Sequence, residues 1–242
     1  MPELSARVQE LEALLKRASM AEVAANNPTR ATPIEGKGWK VFHKAILDTL
    51  INEALPSLVD KSSKVKTIIT AGQPDKKRKT FQLDNIGLEA DELGKAYERF
   101  LSNYEKVSER HMLSTVACIH SLPGCQRQKV HWDFDVDEVR RRLNDGGDLP
   151  MSAILALHDG GKLLIYDEDE DVCLEVPLDR GDVIIFCGSV PHAGGSYGHD
   201  NMRLHAYINV KDWPKQNDGE PHTWVADLMQ RRQPSIVPFL AP

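Results

Sequence analysis

The chain has 242 residues, 41% of them hydrophobic, with a formal net charge of −6 and a sequence pI ≈ 5.9. That is enough for a sizeable buried core, in one large domain or two small ones, and the acidic balance excludes a surface built throughout for nucleic acid. Scattered cysteines (Cys118, Cys125, Cys173, Cys187) without a CxxC pair exclude a zinc ribbon or disulfide framework, and the lack of an apolar signal core or spanning stretch leads to the expectation of an intracellular protein without membrane insertion, cytoplasmic rather than nuclear.

Residues 1–110 read as a mostly helical support region. Leu4, Val8, Leu11 and Leu15 recur at i, i+4, i+7 and i+11, one apolar stripe of a helix, and Asn26-Asn27-Pro28 closes that pattern. A second helix is expected from Trp39, burying Phe42, Ile46, Leu50, Ala54 and Leu58. A third is expected over 88–107, on Leu93, Ala96, Tyr97, Phe100, Leu101 and Tyr104. Between them a basic loop over 60–82 carries Lys61, Lys64, Lys66 and the run Lys76-Lys77-Arg78-Lys79. It reads as a solvated loop around a hairpin, since Thr67–Thr70 and Thr80–Leu83 are strand-like. The same cations match a nuclear signal, a lid or a contact for an acidic partner, so nucleic acid stays open as a partner.

From His111 the pattern changes to short β-rich runs: LSTVACIHSL (113–122), SAILALH (152–158), KLLIYD (162–167), VCLEVPL (172–178), DVIIFCG (182–188) and MRLHAYINV (202–210). Asp159-Gly160-Gly161, Asp167–Asp171, Arg180-Gly181 and Gly194-Gly195 supply the turns between them. Strands at this spacing predict a sandwich or barrel, of which a jelly roll is one form. One helix interrupts them over 135–143, and a last helix over 223–232 precedes a proline-punctuated tail within 212–242. The expectation is a single domain over 1–242, mainly β, with its β core at 111–211 and flanking helices.

The acids of KVHWDFDVDE (129–138) need separating. An EF-hand loop opening at Asp133 requires Gly at its sixth position and Glu at its twelfth, where Glu138 and Asn144 stand. The second acidic run, from Asp167, has Val172 and Leu178 there and reads as a hairpin tip. Asp135 and Asp137 precede a helix, where carboxylates satisfy free N–H groups and oppose the dipole. Asp133 differs, because His131 and Asp133 at i and i+2 project to one side of a strand. Downstream, an apolar strand ends in a small-residue turn followed by His192, and Arg203 opens the next strand. Two imidazoles and one carboxylate on one face of a metal leave the other face open for a bidentate cosubstrate and O2. A dicarboxylate held there needs a cation at its far end, which arginine matches bidentately. On 201–210, Arg203, His205, Tyr207 and Asn209 share one face, with Leu204, Ala206, Ile208 and Val210 on the other.

With His131-Trp132-Asp133, His192 and Arg203 in that order, the sequence resembles the Fe(II)/2-oxoglutarate-dependent dioxygenases. The resemblance implies a double-stranded β-helix (jelly roll) core buttressed by N-terminal helices. It implies Fe(II) on His131, Asp133 and His192, with Arg203 on the distal carboxylate of 2-oxoglutarate, O2 as second cosubstrate and ascorbate as reductant. The implied reaction couples decarboxylation of 2-oxoglutarate to succinate with hydroxylation or oxidative demethylation of a C–H bond, in a small molecule or a protein side chain. Arg203, where collagen-type prolyl hydroxylases carry lysine, leans toward a phytanoyl-CoA-hydroxylase-like or AlkB-like branch. His205, Tyr207, Tyr166, Gln128 and Arg127 are candidates for the cosubstrate or substrate pocket. The alternative reading is a cupin-like metal-binding isomerase or small-molecule-binding protein on the same roll, which has no need of Arg203.

Overall fold

The computed structural model describes residues 38–65, 69–70, 73–74, 76–84, 86–167, 170–213, 224–225 and 235–238, all within the unit Pro33–Pro242. In chain order the elements are β1 (Trp39–Phe42), α1 (Asp48–Lys64), β2 (Ile69–Thr70), β3 (Gln73–Pro74), β4 (Arg78–Gln82), α2 (Leu88–Ser102), β5 (His111–Leu113), β6 (Ala117–Ser121) and β7 (His131–Trp132). There follow α3 (Val136–Asn144), β8 (Met151–Ala156), β9 (Gly161–Asp167), β10 (Val172–Leu178), β11 (Val183–Cys187), β12 (His192–Gly194), β13 (Asn201–Val210), β14 (Trp224–Val225) and β15 (Ser235–Pro238). The expected first helix lies outside the described residues. Among the described residues, no helix is long and apolar enough to cross a membrane.

The strands make two larger sheets. The major sheet has seven strands, ordered β1-β11-β8-β13-β6-β4, with β5 also on β13; the minor sheet has six, ordered β14-β7-β12-β9-β10-β15. Apolar residues of alternate parity meet between them. Trp39, Val41, Ile154, Ala156, Ile184 and Phe186 come from the major sheet, and Leu163, Ile165, Val176 and Leu178 from the minor one. Full burial of each such aliphatic side chain stabilises the fold by roughly 1.5–3 kcal/mol. The fold class is the expected one, a jelly roll, but β1 and β4 join its major sheet from the region 1–110, expected to be mostly helical, so the β core reaches beyond 111–211. On the remaining faces, α1 buries Ile51, Ala54 and Leu58, and α2 buries Ala90, Leu93, Tyr97 and Leu101. Ser62, at the end of α1, is tied to His120 of β6 (Oγ to Nδ1, 2.7 Å), whose Nε2 meets Asp200 (2.9 Å). With Ser62 only 1% exposed, that Ser-His-Asp series ties the end of α1 to β6.

Two helix expectations are corrected. Trp39–Phe42 is a strand, paired antiparallel with β11 (Trp39 opposite Phe186), and the helix begins only at Asp48. The i, i+4 series from Phe42 through Ile46 to Leu50 runs by chance across the junction. Lys44, with φ of 49°, turns the chain there. At the C-terminal end, Trp224 and Val225 pair with Trp132 and His131 as a strand, in place of the first residues of a helix. The third and fourth expected helices form, with α2 ending at Ser102.

The turn before α1 is held by a buried carboxylate. Asp182 accepts the backbone N–H of Lys44 (2.9 Å) and of Asp179 (3.0 Å), and also meets His43 Nδ1 (3.1 Å). Asp182→Ala should remove the acceptor of two part-buried backbone N–H groups and cost about 1–3 kcal/mol, about 0.5–1.5 kcal/mol for each hydrogen bond lost where water has partial access. Chemical denaturation of wild type and variant checks this; an unchanged midpoint would show that water replaces the carboxylate.

Candidate metal centre

His131 and His192 stand opposite each other in the antiparallel pair of β7 and β12, so their side chains share a face. Their rings lie 4.5 Å apart between centroids. Asp133 follows β7 directly, its oxygens 3.9 Å from His131 Nε2 and 3.4 Å from His192 Nε2. One ligand atom from each of the three residues falls within 4.8 Å of the others, the grouping a single cation would need. All three are buried.

The environment puts these donors in ligating form. His131 Nδ1 is 2.8 Å from the Lys129 carbonyl and His192 Nδ1 is 3.1 Å from that of Val190. Each Nδ1–H donates to its carbonyl, which leaves the Nε2 lone pair free and fixes the ring. Burial lowers the pKa of both imidazoles, against the opposing charge of Asp133, and takes His192 down to about 4. Burial pushes the Asp133 carboxyl up, but His192, His205 and His131 outweigh it and hold the acid well below the usual carboxylate range. The result is two neutral imidazoles and one carboxylate, a donor set suited to a non-haem Fe(II) facial site.

Ser152 of β8 donates to Asp133 Oδ2 at 2.6 Å and orients the carboxylate from the opposite sheet. Nothing in the sequence marked this serine. It stands among apolar residues in SAILALH, and only the register of β8 turns it inward. Ser152→Ala should weaken metal binding roughly 10–100-fold, the usual effect of losing an outer partner. Competition with a chromogenic chelator measures it, and unchanged affinity would remove Ser152 from the site.

The open side is walled by β13. Arg203 is 5% exposed and donates Nη1 to Ser121 Oγ at 3.2 Å. No described carboxylate pairs with it. Burial lowers its pKa, and the Arg78 charge adds to that. Gly194 lets the wall close: a Cβ there would collide with Gln128 Oε1 and lie 2.9 Å from Arg203 Nη2. Gln128 Oε1 accepts the Gly194 N–H at 2.9 Å.

His205 and Tyr207 share Arg203's face, as the alternation requires. His205 Nε2 lies 3.7 Å from Asp133 Oδ2, and its ring meets Tyr207 edge-on at 4.6 Å. The Asp133 charge, then burial, holds the Tyr207 hydroxyl well above its ordinary pKa. Thus His205 and Tyr207 lie beside Asp133, and Gln128 lies against Gly194, whose other neighbour is Arg203. Tyr166 lies elsewhere. Ile165 stands opposite His192, so Tyr166 points the other way, into a cluster with Val130, Leu164, Cys173 and Ala193, and its hydroxyl donates to Asp171 at 2.9 Å. Arg127 is half-buried, and its charge is felt at Cys173, a member of that same outer cluster.

Asp135 caps α3, its Oδ1 accepting the N–H groups of Asp137 (3.0 Å) and Glu138 (3.1 Å). The expected division between Asp133 and its two neighbours is therefore present. Trp132, between the two ligand candidates, donates Nε1 to the Ser189 carbonyl at 3.2 Å.

No protein-family model matches the chain, and no curated protein matches it. Solved structures do. A Pseudomonas putida prolyl-4-hydroxylase superposes with a TM-score of 0.51 at 20% identity, covering 73% of this chain and 95% of that one. A Trichoplax adhaerens prolyl hydroxylase, solved with a hypoxia inducible factor peptide fragment, gives 0.57 at 12% identity over 84% and 96%. HygX from Streptomyces hygroscopicus, solved with nickel and 2-oxoglutarate, gives 0.56 at 10% identity over 76% and 87%. These likenesses establish the fold, a jelly roll shared with the two prolyl hydroxylases and HygX. They reach the fold and not a branch: prolyl hydroxylases are among them although Arg203 leans elsewhere.

Proposed function

We propose that this protein is a non-haem Fe(II)/2-oxoglutarate-dependent oxygenase that hydroxylates, or oxidatively demethylates, a C–H bond in a small molecule or protein side chain. One observation carries the reading. Three converging donors, His131, Asp133 and His192, share an interior with a buried arginine that has no described acidic partner. A cupin-type binder or isomerase accounts for the triad and leaves Arg203 without a purpose, at the cost of burying an uncompensated cation.

His131 Nε2, His192 Nε2 and one Asp133 oxygen would hold the iron, with Ser152 fixing the carboxylate. Arg203 and Ser121 would hold the far carboxylate of 2-oxoglutarate and so set the direction from which its 2-oxo acid end enters. Bound iron would supply activation of O2 coupled to decarboxylation of 2-oxoglutarate to succinate, with ascorbate as a reductant that maintains Fe(II). His205 and Tyr207 line the same wall and shape the space left for substrate. Two substrate classes have support from the fold's other uses: one neighbour was solved with a peptide fragment, and HygX with hygromycin B.

Anaerobic addition of Fe(II) and 2-oxoglutarate to the wild-type protein should give the weak visible charge-transfer band of the chelate. Admitting air should release succinate. If neither appears, the proposed function is wrong.

A further inference from the structure

Arg78 is the one member of the basic run Lys76–Lys79 that is wholly buried, while Lys76 and Lys77 are exposed. Strand β4 explains this. Arg78 pairs with Ser121, and Ser121 pairs in turn with Asn201; one step along, Thr80 pairs with Ile119 and Ile119 with Arg203. Directly opposed residues share a face, so Arg78, Thr80, Ser121, Asn201 and Arg203 all point into the roll. Lys79 points the other way and donates to the Ser62 carbonyl of α1 at 2.9 Å.

Arg78 is anchored by two of its nitrogens. Nε lies 3.3 Å from Ser121 Oγ, and Nη2 donates to the carbonyls of Gln126 and Gly195, both at 2.9 Å. Ser121 Oγ is thus shared by two guanidinium groups, since Arg203 Nη1 reaches it at 3.2 Å. Gly195 follows Gly194, over which Arg203 lies, and both come just after His192. Neither arginine has a carboxylate partner among the described residues. Arg78 Nη1 is buried without a hydrogen-bond partner among the described residues, as are Thr80 Oγ1 and Asn201 Nδ2 on the same face. A structural clip would account for Nε and Nη2. It leaves Nη1, and two like charges beside one hydroxyl, unexplained.

We propose that Arg78 is a second cation of the site for the cosubstrate's distal carboxylate, so that Arg78 and Arg203 together hold one carboxylate group beside Ser121. This rests on the function proposed above and adds a positioning residue to it. A carboxylate has about four lone-pair sites on two oxygens, enough to accept from both guanidinium groups and from a nearby hydroxyl. Its charge also relieves the repulsion between the two arginines. The site therefore selects a 2-oxo acid that carries a second carboxylate.

The test uses the full chain loaded with Ni(II), which allows binding without turnover. Calorimetry measures affinity for 2-oxoglutarate and for 2-oxobutanoate, which keeps the 2-oxo acid and lacks the distal carboxylate. Arg78→Gln should weaken 2-oxoglutarate roughly 30-fold or more, as loss of a buried charge partner does. Affinity for 2-oxobutanoate and for the metal should stay at the wild-type level. Arg78→Lys should lie between, and it carries the test if Arg78→Gln does not fold. Equal loss for both 2-oxo acids would make Arg78 a structural clip and overturn the proposal, as would unchanged 2-oxoglutarate affinity in both variants. Wild type that binds no 2-oxoglutarate overturns the proposed function and this inference with it; wild type that binds, with variants that bind equally well, overturns the role of Arg78 alone.

Discussion

Asp133→Ala should abolish succinate release and lower metal affinity by more than the roughly 100-fold at the upper end of outer-partner effects. Asp135→Ala should do neither. The two carboxylates stand two residues apart and look alike in the sequence, yet their surroundings differ in kind. Asp133 is buried, faces both imidazoles and takes a hydrogen bond from Ser152. Its removal leaves two neutral nitrogen donors with no anion to offset a divalent charge. Asp135 spends its carboxylate on two helix N–H groups, so its loss should cost about 1 kcal/mol of stability and leave the metal alone. Metal titration and thermal denaturation of both variants separate the effects. Equal loss of metal from both would place the boundary of the site wrongly. Asp133→Glu is the finer control: it keeps the charge, lengthens the reach and should retain part of the affinity.

Legibility in the sequence followed how locally each feature is determined. Strands β8 to β11 and β13 each carry enough period-two or continuous apolar residues to declare themselves, and turns with Gly or Asp mark their ends. The convergence of His131, Asp133 and His192 could be expected because metal chemistry restricts residue type and spacing at once, and the inward face of Arg203 because strand alternation sets it. Other short strands were not legible. Trp39–Phe42 and Trp224–Val225 are four and two residues long, and what makes them strands is the neighbour they pair with. The side of Tyr166 was not legible, because a tyrosine in a half-apolar strand reads equally well facing in or out; only the register against His192 decides. Arg78 shows the same limit from the other side. A cation in a run of cations reads as solvent-facing, since like charges are normally kept in water. Strand pairing turns alternate members to opposite faces regardless of that preference, and the interior face at this point is polar.

Arg203→Ala should weaken 2-oxoglutarate binding about 30- to 1,000-fold or more while metal affinity holds, since breaking a buried charge pair costs roughly 2–5 kcal/mol. The size follows from burial. At 5% exposure the guanidinium has little water to fall back on, and its hydrogen-bond partner among the described residues is one serine hydroxyl. A carboxylate arriving there meets a cation already desolvated and already oriented, so most of the cost of forming the pair is met during folding. The same reasoning fixes the behaviour of Arg203→Lys. Lysine keeps the charge but loses the planar fork, and its ammonium would reach Ser121 or the carboxylate, not both, so an intermediate affinity is expected. Charge-transfer titration with Fe(II) held constant reads the cosubstrate alone. Should Arg203→Ala bind 2-oxoglutarate as tightly as wild type, the buried arginine serves the fold only, and the cupin-type reading gains the ground that the oxygenase reading loses.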